Sequence, residues 1–360
     1  MKDRFQIALV GCGSISKTHA KAIAALSDSV ELAFCVDLVE ERAASLAEVF
    51  QSRVAAWSEV LASDEVDAVI VATSSGGHGE LTMDALRAGK HVLVEKPMEV
   101  TSEVCRAMNA VQQETGNVLS VVSQHRFDPA SQHLYSLVDE GDLGQLFSVE
   151  ARVPWYRTQA YYDEADWRGT QDFDGGCLRN QGIHTLDLML WIAGPVKRLW
   201  SVGRQVAHQR IDVFDHLTAT LEFENGIMGS LTGSTCCYPG FPARLECFGL
   251  EGSVILEGDE IHTIALRDKE LIRGKALRGA WDVAQGGTSG ATQSVGEQTV
   301  GHGDDWIWGN AHCAQIEDFV KACQQGTAPG VTGHDGEYAI RVIEAIHESA
   351  SSGNVVEVKK

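Results

Sequence analysis

From Phe5 to Val122 the chain alternates short, fully apolar runs with amphipathic segments, and this alternation limits the possible folds more than any other feature. The runs Phe5–Val10, Glu31–Val36, Ala68–Ala72, His91–Val94 and Val118–Val122 predict strands. The segments His19–Leu26, Glu40–Phe50, Leu81–Ala88 and Ser102–Thr115 predict helices, the last two stopped by Gly89 and Gly116. A strand apolar on both faces must be covered on both faces. Strands of that kind separated by helices therefore predict a doubly wound parallel sheet, an α/β Rossmann domain over residues 1–123.

The pattern then changes. Leu146–Val153, Leu199–Gln205, Leu217–Phe223, Ile227–Thr232, Arg244–Gly249 and Ser253–Glu257 read as strands joined by tight turns, with hairpin signals at Asn225-Gly226 and Glu251-Gly252. One helix, Ile183–Ile192, interrupts them, and helices return at Ala311–Cys323 and Gly336–Ser349. Residues 284–303, rich in Gly, Ser, Thr and Gln, read as a loop or flap. The expectation for 124–360 is an α+β domain with a large, open, mainly antiparallel sheet. A length of 360 residues suits two such domains.

The net charge is −21, from 50 acidic against 29 basic residues. A surface that negative repels phosphate backbones and anionic lipid, which argues against nucleic-acid and membrane partners but leaves room for an anionic small ligand. Nine cysteines show no CxxC or Cys/His zinc spacing, so they read as reduced thiols of a cytoplasmic protein with no metal site. No secretory leader is evident in MKDRFQIALVGCG, and no run reaches the ~18 apolar residues of a membrane span.

Three motifs carry chemistry. Gly11-Cys12-Gly13-Ser14-Ile15-Ser16 lies between a strand and a helix, where a pyrophosphate can meet free N–H groups and the helix dipole. Ser16 stands where the usual pattern has a third glycine. Asp37 ends the second strand, 24 residues after Gly13, and suits the adenosine ribose hydroxyls. Its charge favours NAD; Arg42 nearby leaves NADP open. The second motif, Glu95-Lys96-Pro97, ends the fourth strand, on the side where open parallel sheets bind ligands. The third is Gly175-Gly176-Cys177-Leu178-Arg179-Asn180-Gln181-Gly182-Ile183-His184, leading into a helix. If the turn is helical, Asn180 at i−4 and Asp187 at i+3 fall near the face of His184.

In this order the motifs resemble the glucose–fructose oxidoreductase, inositol dehydrogenase and MocA (Gfo/Idh/MocA) family. Further matching stretches are GCGSISKTHA, AGKHVLVEKP, QHRFDPA, WRGT and GGCLRNQGIHTLD. The resemblance implies a Rossmann domain, a substrate-binding and oligomerisation domain, and a homodimer or homotetramer formed through the outer face of the second sheet. By matching position it implies that Gly11, Cys12, Gly13, Ser14, Ile15 and Asp37 bind the adenosine and pyrophosphate half of the cofactor. Thr73, Ser74 and His78 would line the dinucleotide cleft, Glu95 and Lys96 would reach the nicotinamide ribose, and Trp167 and Arg168 would close over the cofactor. Lys96 and His184 are the implied catalytic pair. Arg126, Tyr156, Arg157, Tyr161, Tyr162, Trp167 and Asn180 are expected around the substrate. One departure matters: many sugar-oxidising members have Asp four residues before the histidine, where this chain has Asn180. An amide takes no proton, so the base role falls on His184.

The resulting expectation is NAD(P)-dependent oxidation of a ring secondary hydroxyl, C3 among the candidates, on a sugar, sugar derivative or cyclitol. An unperturbed histidine pKa of ~6.5 suits proton exchange near neutrality. Two alternatives remain. One is an enzyme that retains its cofactor, as a sugar–sugar oxidoreductase or in oxidation-assisted glycoside cleavage. The other is a non-catalytic dinucleotide-binding regulator.

Overall fold

The structure is a computed structural model that describes residues 4–171, 173–267, 272–273 and 307–358. The expected loop at 284–303 lies outside the described residues. Two sheets organise the chain. The first contains β1 (Phe5–Val10), β2 (Val30–Val36), β3 (Arg53–Val54), β4 (Ala68–Val71), β5 (His91–Val94) and β6 (Leu119–Val121) in the order β3-β2-β1-β4-β5-β6. Every pairing in it is parallel. Strand order reverses at β1 and β4, so the connections that leave their carboxyl ends run in opposite directions and open the crevice that doubly wound sheets use for ligands. All four residues of β4 are buried, as the unbroken apolar run requires.

The second sheet contains β7 (Leu146–Pro154), β8 (Val196–Arg204), β9 (His216–Phe223), β10 (Met228–Ser234), β11 (Arg244–Gly249), β12 (Gly252–Glu257), β13 (Glu260–Leu266), β14 (Ile272–Arg273) and β15 (Val356–Glu357). Its order is β14-β13-β12-β11-β7-β10-β9-β8-β15. Only β7 and β10 pair in parallel among the described strands; the rest are antiparallel. Asn225-Gly226 turns β9 into β10 and Glu251-Gly252 turns β11 into β12, as their dipeptides predict. Along β9, buried residues alternate with more exposed ones, so one face is core and the other is not.

One compact unit runs to Gln124 and takes in Trp308–Ile340; the other runs from His125 and takes in the chain from Arg341. A break was expected at 123/124. The stretch Trp308–Ile340, expected with the second domain, falls in the first compact unit. The helix Ile307–Gln325 returns to the first unit because Ile316, Phe319, Val320 and Ala322 bury into the core built by Ile7, Leu9 and Ile23. Ser120 Oγ, on β6, also donates to Val331 O at 2.8 Å. An amphipathic pattern says that a helix needs a sheet to cover, not which one.

Candidate active site

The first unit carries the dinucleotide-type turn. Gly11 leaves β1 at φ +92°, and a Cβ there would lie 2.5 Å from Ala72 O and 2.8 Å from Thr73 N. Glycine is therefore required where the ends of β1 and β4 come together. Gly13 differs: a Cβ there would meet nothing within 4 Å. Gly13 and Ser14 are exposed, and the helix Ser16–Ala25 starts without a side-chain cap. Open backbone followed by uncapped N–H groups fits a pyrophosphate. Ser16, in place of the third glycine, is fully buried, and its hydroxyl donates to Gly13 O at 2.5 Å. Asp37 sits where expected. Its carboxylate accepts from Cys12 N (2.7 Å) and Val39 N (2.8 Å), which ties the end of β2 to the glycine turn.

At the end of β5, Lys96 is half-buried and its peptide bond to Pro97 is cis. His78, expected to line the dinucleotide cleft, and Glu95, expected to reach the nicotinamide ribose, are both buried. His78 is 1% exposed, and its ring lies between Pro97 O (3.0 Å) and Thr73 O (3.1 Å), clasping the ends of β4 and β5. The Glu95 carboxylate turns to His19 Nε2 (2.8 Å) and to the backbone N–H of Lys96 (2.9 Å). Burial pushes the Glu95 carboxyl up. The hydrogen bond from His19 and the charges of His19, His312 and Lys96 outweigh this and hold it at about 2. His19, Glu95 and His312, far apart in the chain, each bring one ligand-type atom within 4.8 Å of the others. Thr73 and Ser74 lie partly open at the end of β4.

The second unit carries the histidine. Its turn, Cys177–Gly182, is helical but π-wound, and it runs into the α-helix Ile183–Ala193. Such wide turns recur at functional sites. The turn sits tight on the sheet: a Cβ on Gly233 of β10 would lie 2.5 Å from Leu178 Cδ2. Asn180 Nδ2 donates to Asp174 and reaches Tyr161 Oη at 3.4 Å; Gln181 Nε2 reaches the same hydroxyl at 3.2 Å. Arg168 lies over the Tyr161 ring at 4.0 Å and pairs with Glu164 at 3.1 Å. Trp167 is 37% exposed beside it. Tyr161 is thus the centre of a polar and aromatic cluster. Asp174, which sequence reasoning missed, also accepts from Gly169 N at 3.0 Å and so links the WRGT and NQGIH segments. Burial pushes its carboxyl up.

Four residues expected around the substrate have partners within the protein. The Arg126 guanidinium forks onto Asp187, Nε to Oδ2 at 2.7 Å and Nη2 to Oδ1 at 2.6 Å, with both side chains buried. Arg157 is 8% exposed and donates to Gln181 Oε1 at 2.8 Å and to Tyr156 O at 3.0 Å. A buried guanidinium needs acceptors, and each arginine has found them inside the protein. Tyr162 is core, its hydroxyl 2.8 Å from that of Thr235. Tyr156 is half-buried and meets Tyr238 edge to face. Beneath Arg157, His208 joins Asp215 (2.9 Å) and Arg157 O (2.8 Å). Burial opposes the charge on His208, and the bonds to Asp215, Cys236 and Arg157 O outweigh it, raising the imidazole to about 10. Cys177 is buried against Gly233 O, and desolvation raises its thiol, as fits an inert residue.

Two family models match in succession: the oxidoreductase family's NAD-binding Rossmann fold over residues 5–123, and the GFO/IDH/MocA C-terminal domain over 131–255. The chain belongs to the Gfo/Idh/MocA oxidoreductase family. It is 24% identical to a scyllo-inositol 2-dehydrogenase (NAD(+)) of Bacillus subtilis, across 99% of this chain and 97% of that one. It is 27% identical to a D-apiose dehydrogenase of Paraburkholderia graminis, across 99% and 90%. Among solved structures, the WlbA dehydrogenase of Bordetella pertussis, in complex with NADH and UDP-GlcNAcA, matches with a TM-score of 0.84 and 28% identity over 99% of both chains. No helix among the described residues is long and apolar enough to cross a membrane.

Proposed function

We propose that this member of the family is an NAD(P)-dependent dehydrogenase that oxidises a ring secondary hydroxyl of a sugar, sugar derivative or cyclitol, C3 among the candidate positions. The observation that carries this reading is the cluster on the NQGIH turn. Asn180, Gln181, Tyr161 and Arg168 gather an aromatic ring and several polar tips one turn before His184. A hydroxylated ring needs that combination, with apolar faces against aromatics and hydroxyls against polar groups. The relatives named above act on compounds of this kind by their names.

The glycine turn and the uncapped helix start hold the dinucleotide, with Asp37 beside the ribose. When bound, the nicotinamide supplies the hydride acceptor. His184 is the proposed general base for the hydroxyl proton, and Lys96 the proposed hydrogen-bond donor that favours developing negative charge. An ionised carboxylate only accepts, so the end of Asn180 that meets Asp174 is its NH2 end. The protein would work in the cytoplasm as a homodimer or homotetramer, with the outer face of the second sheet, which bears the exposed Trp200 and Met228, as its contact.

The test follows absorbance at 340 nm with NAD or NADP and a panel of glucosides, uronic acids, inositols and nucleotide sugars. Steady reduction with one ring class is the expected outcome. His184→Ala should lower kcat by roughly 10²–10⁴-fold and spare dinucleotide binding. Unchanged turnover in that variant removes His184 as base.

A further inference from the structure

We infer that Asp128, acting through His125, is the positioning residue for His184, in a chain that has no carboxylate at position 180. The inference rests on the reading of His184 as base. His125 and Asp128 are both 1% exposed, and His125 Nδ1 lies 2.6 Å from Asp128 Oδ2. An ionised carboxylate can only accept, so Nδ1 carries the proton and the imidazole is fixed in direction. The His125 ring in turn stands edge to face against the His184 ring, with centroids 5.0 Å apart and planes at 87°. His184 is itself 5% exposed. A buried base packed perpendicular to a clamped ring cannot swing without displacing it.

The neighbouring residue strengthens the arrangement. Arg126 follows His125 on the same 3-10 turn, Gln124–Phe127, and its fork grips Asp187, three residues after His184 on the helix Ile183–Ala193. One short turn therefore holds the base-bearing helix twice, by the ring of His125 and by the Arg126–Asp187 pair. Asn180 serves a different set of partners, Asp174 and Tyr161. A base oriented by a second group, itself fixed by a carboxylate, is a general device for setting catalytic geometry, and a misplacement of ~1 Å can cost about 100-fold in rate.

The experiment uses the full chain and the sugar or cyclitol that the wild type oxidises. Asp128→Ala, Asp128→Asn and His125→Phe are compared for kcat, KM, dinucleotide Kd and Tm. Asp128→Ala should lose about 10–100-fold in kcat, with KM and Kd within about twofold of wild type. Asp128→Asn keeps an acceptor for the Nδ1 proton and should recover most of the loss. His125→Phe keeps a flat ring but no link to Asp128, and should be as slow as Asp128→Ala. If Asp128→Ala does not fold, His125→Phe decides by its kcat. In either case the ¹⁵N signals of the His184 imidazole should move from the wild-type tautomer pattern in Asp128→Asn by less than in His125→Phe. A folded Asp128→Ala or His125→Phe with wild-type kcat overturns the inference, as does an Asp128→Asn no better than Asp128→Ala. Retained turnover in His184→Ala is a separate result that overturns the base assignment instead.

Discussion

The two units build their parts of the chemistry in opposite ways. In the first, the glycine turn works through what is missing: no Cβ at Gly11, open space at Gly13 and no cap on the following helix. Two of its titratable groups, Glu95 and His78, are turned inward as clasps. In the second, long polar side chains do the work, and almost every one is held by another: Arg126 by Asp187, Asn180 by Asp174, Arg157 by Gln181. The difference teaches that a backbone site tolerates no added atom where strands meet, whereas a side-chain site tolerates no lost partner.

The largest effect should come from removing such a partner. Arg126→Ala removes the fork on the buried Asp187 carboxylate, and breaking a buried ion pair costs about 3–5 kcal/mol. Urea unfolding should show that loss in the second unit. A cost below about 1 kcal/mol would show that water reaches Asp187 and that the pair is not what holds this helix. The next effect belongs to the first unit. Gly11→Ala must push against the backbone at Ala72 and Thr73 at a strained φ, at about 2–4 kcal/mol. Gly13→Ala should leave the unfolding curve unchanged and weaken dinucleotide binding alone. Equal stability losses in both variants would break the distinction between the two glycines.

How much of this could be read in advance follows the same division. Five of the six strands of the first sheet lie within a residue or two of the apolar runs that predict them, because complete burial writes itself into composition; β3, whose two residues are exposed, was missed. The glycine spacing was legible for the same local reason. The helix expected at His19–Leu26 starts earlier, at Ser16, because the serine tucks under Gly13. The helices Trp57–Ala62 and Pro129–Asp139 and the strand Glu260–Leu266 were missed; all three carry mixed patterns that favour no single period. In the candidate site, residue types were legible and partners were not. Arg126 meets Asp187 across 61 residues, and His19 meets Glu95 across 76. A charged residue in an apolar segment announces only that a partner exists. Whether Arg126 reads a substrate carboxylate or the protein's own is decided by tertiary burial.

The smallest effect sharpens the comparison through pH. Both units bury a histidine–carboxylate pair, but the perturbed groups lie on opposite sides of neutrality. Glu95 is held down at about 2 in the folded first unit, against an unfolded value of ~4.3. Its contribution is complete above that unfolded value and is lost as pH falls towards 2. His208 is raised to about 10 in the folded second unit, against ~6.5 unfolded. Its contribution is complete below ~6.5 and is lost as pH rises through 10. Melting should therefore weaken the first unit on the acid side and the second on the alkaline side. His208→Gln should flatten the alkaline limb and leave the acid limb intact; His19→Gln should do the reverse. If both variants change the same limb, the two pairs are not independent, and the contrast between the units fails at the level of charge.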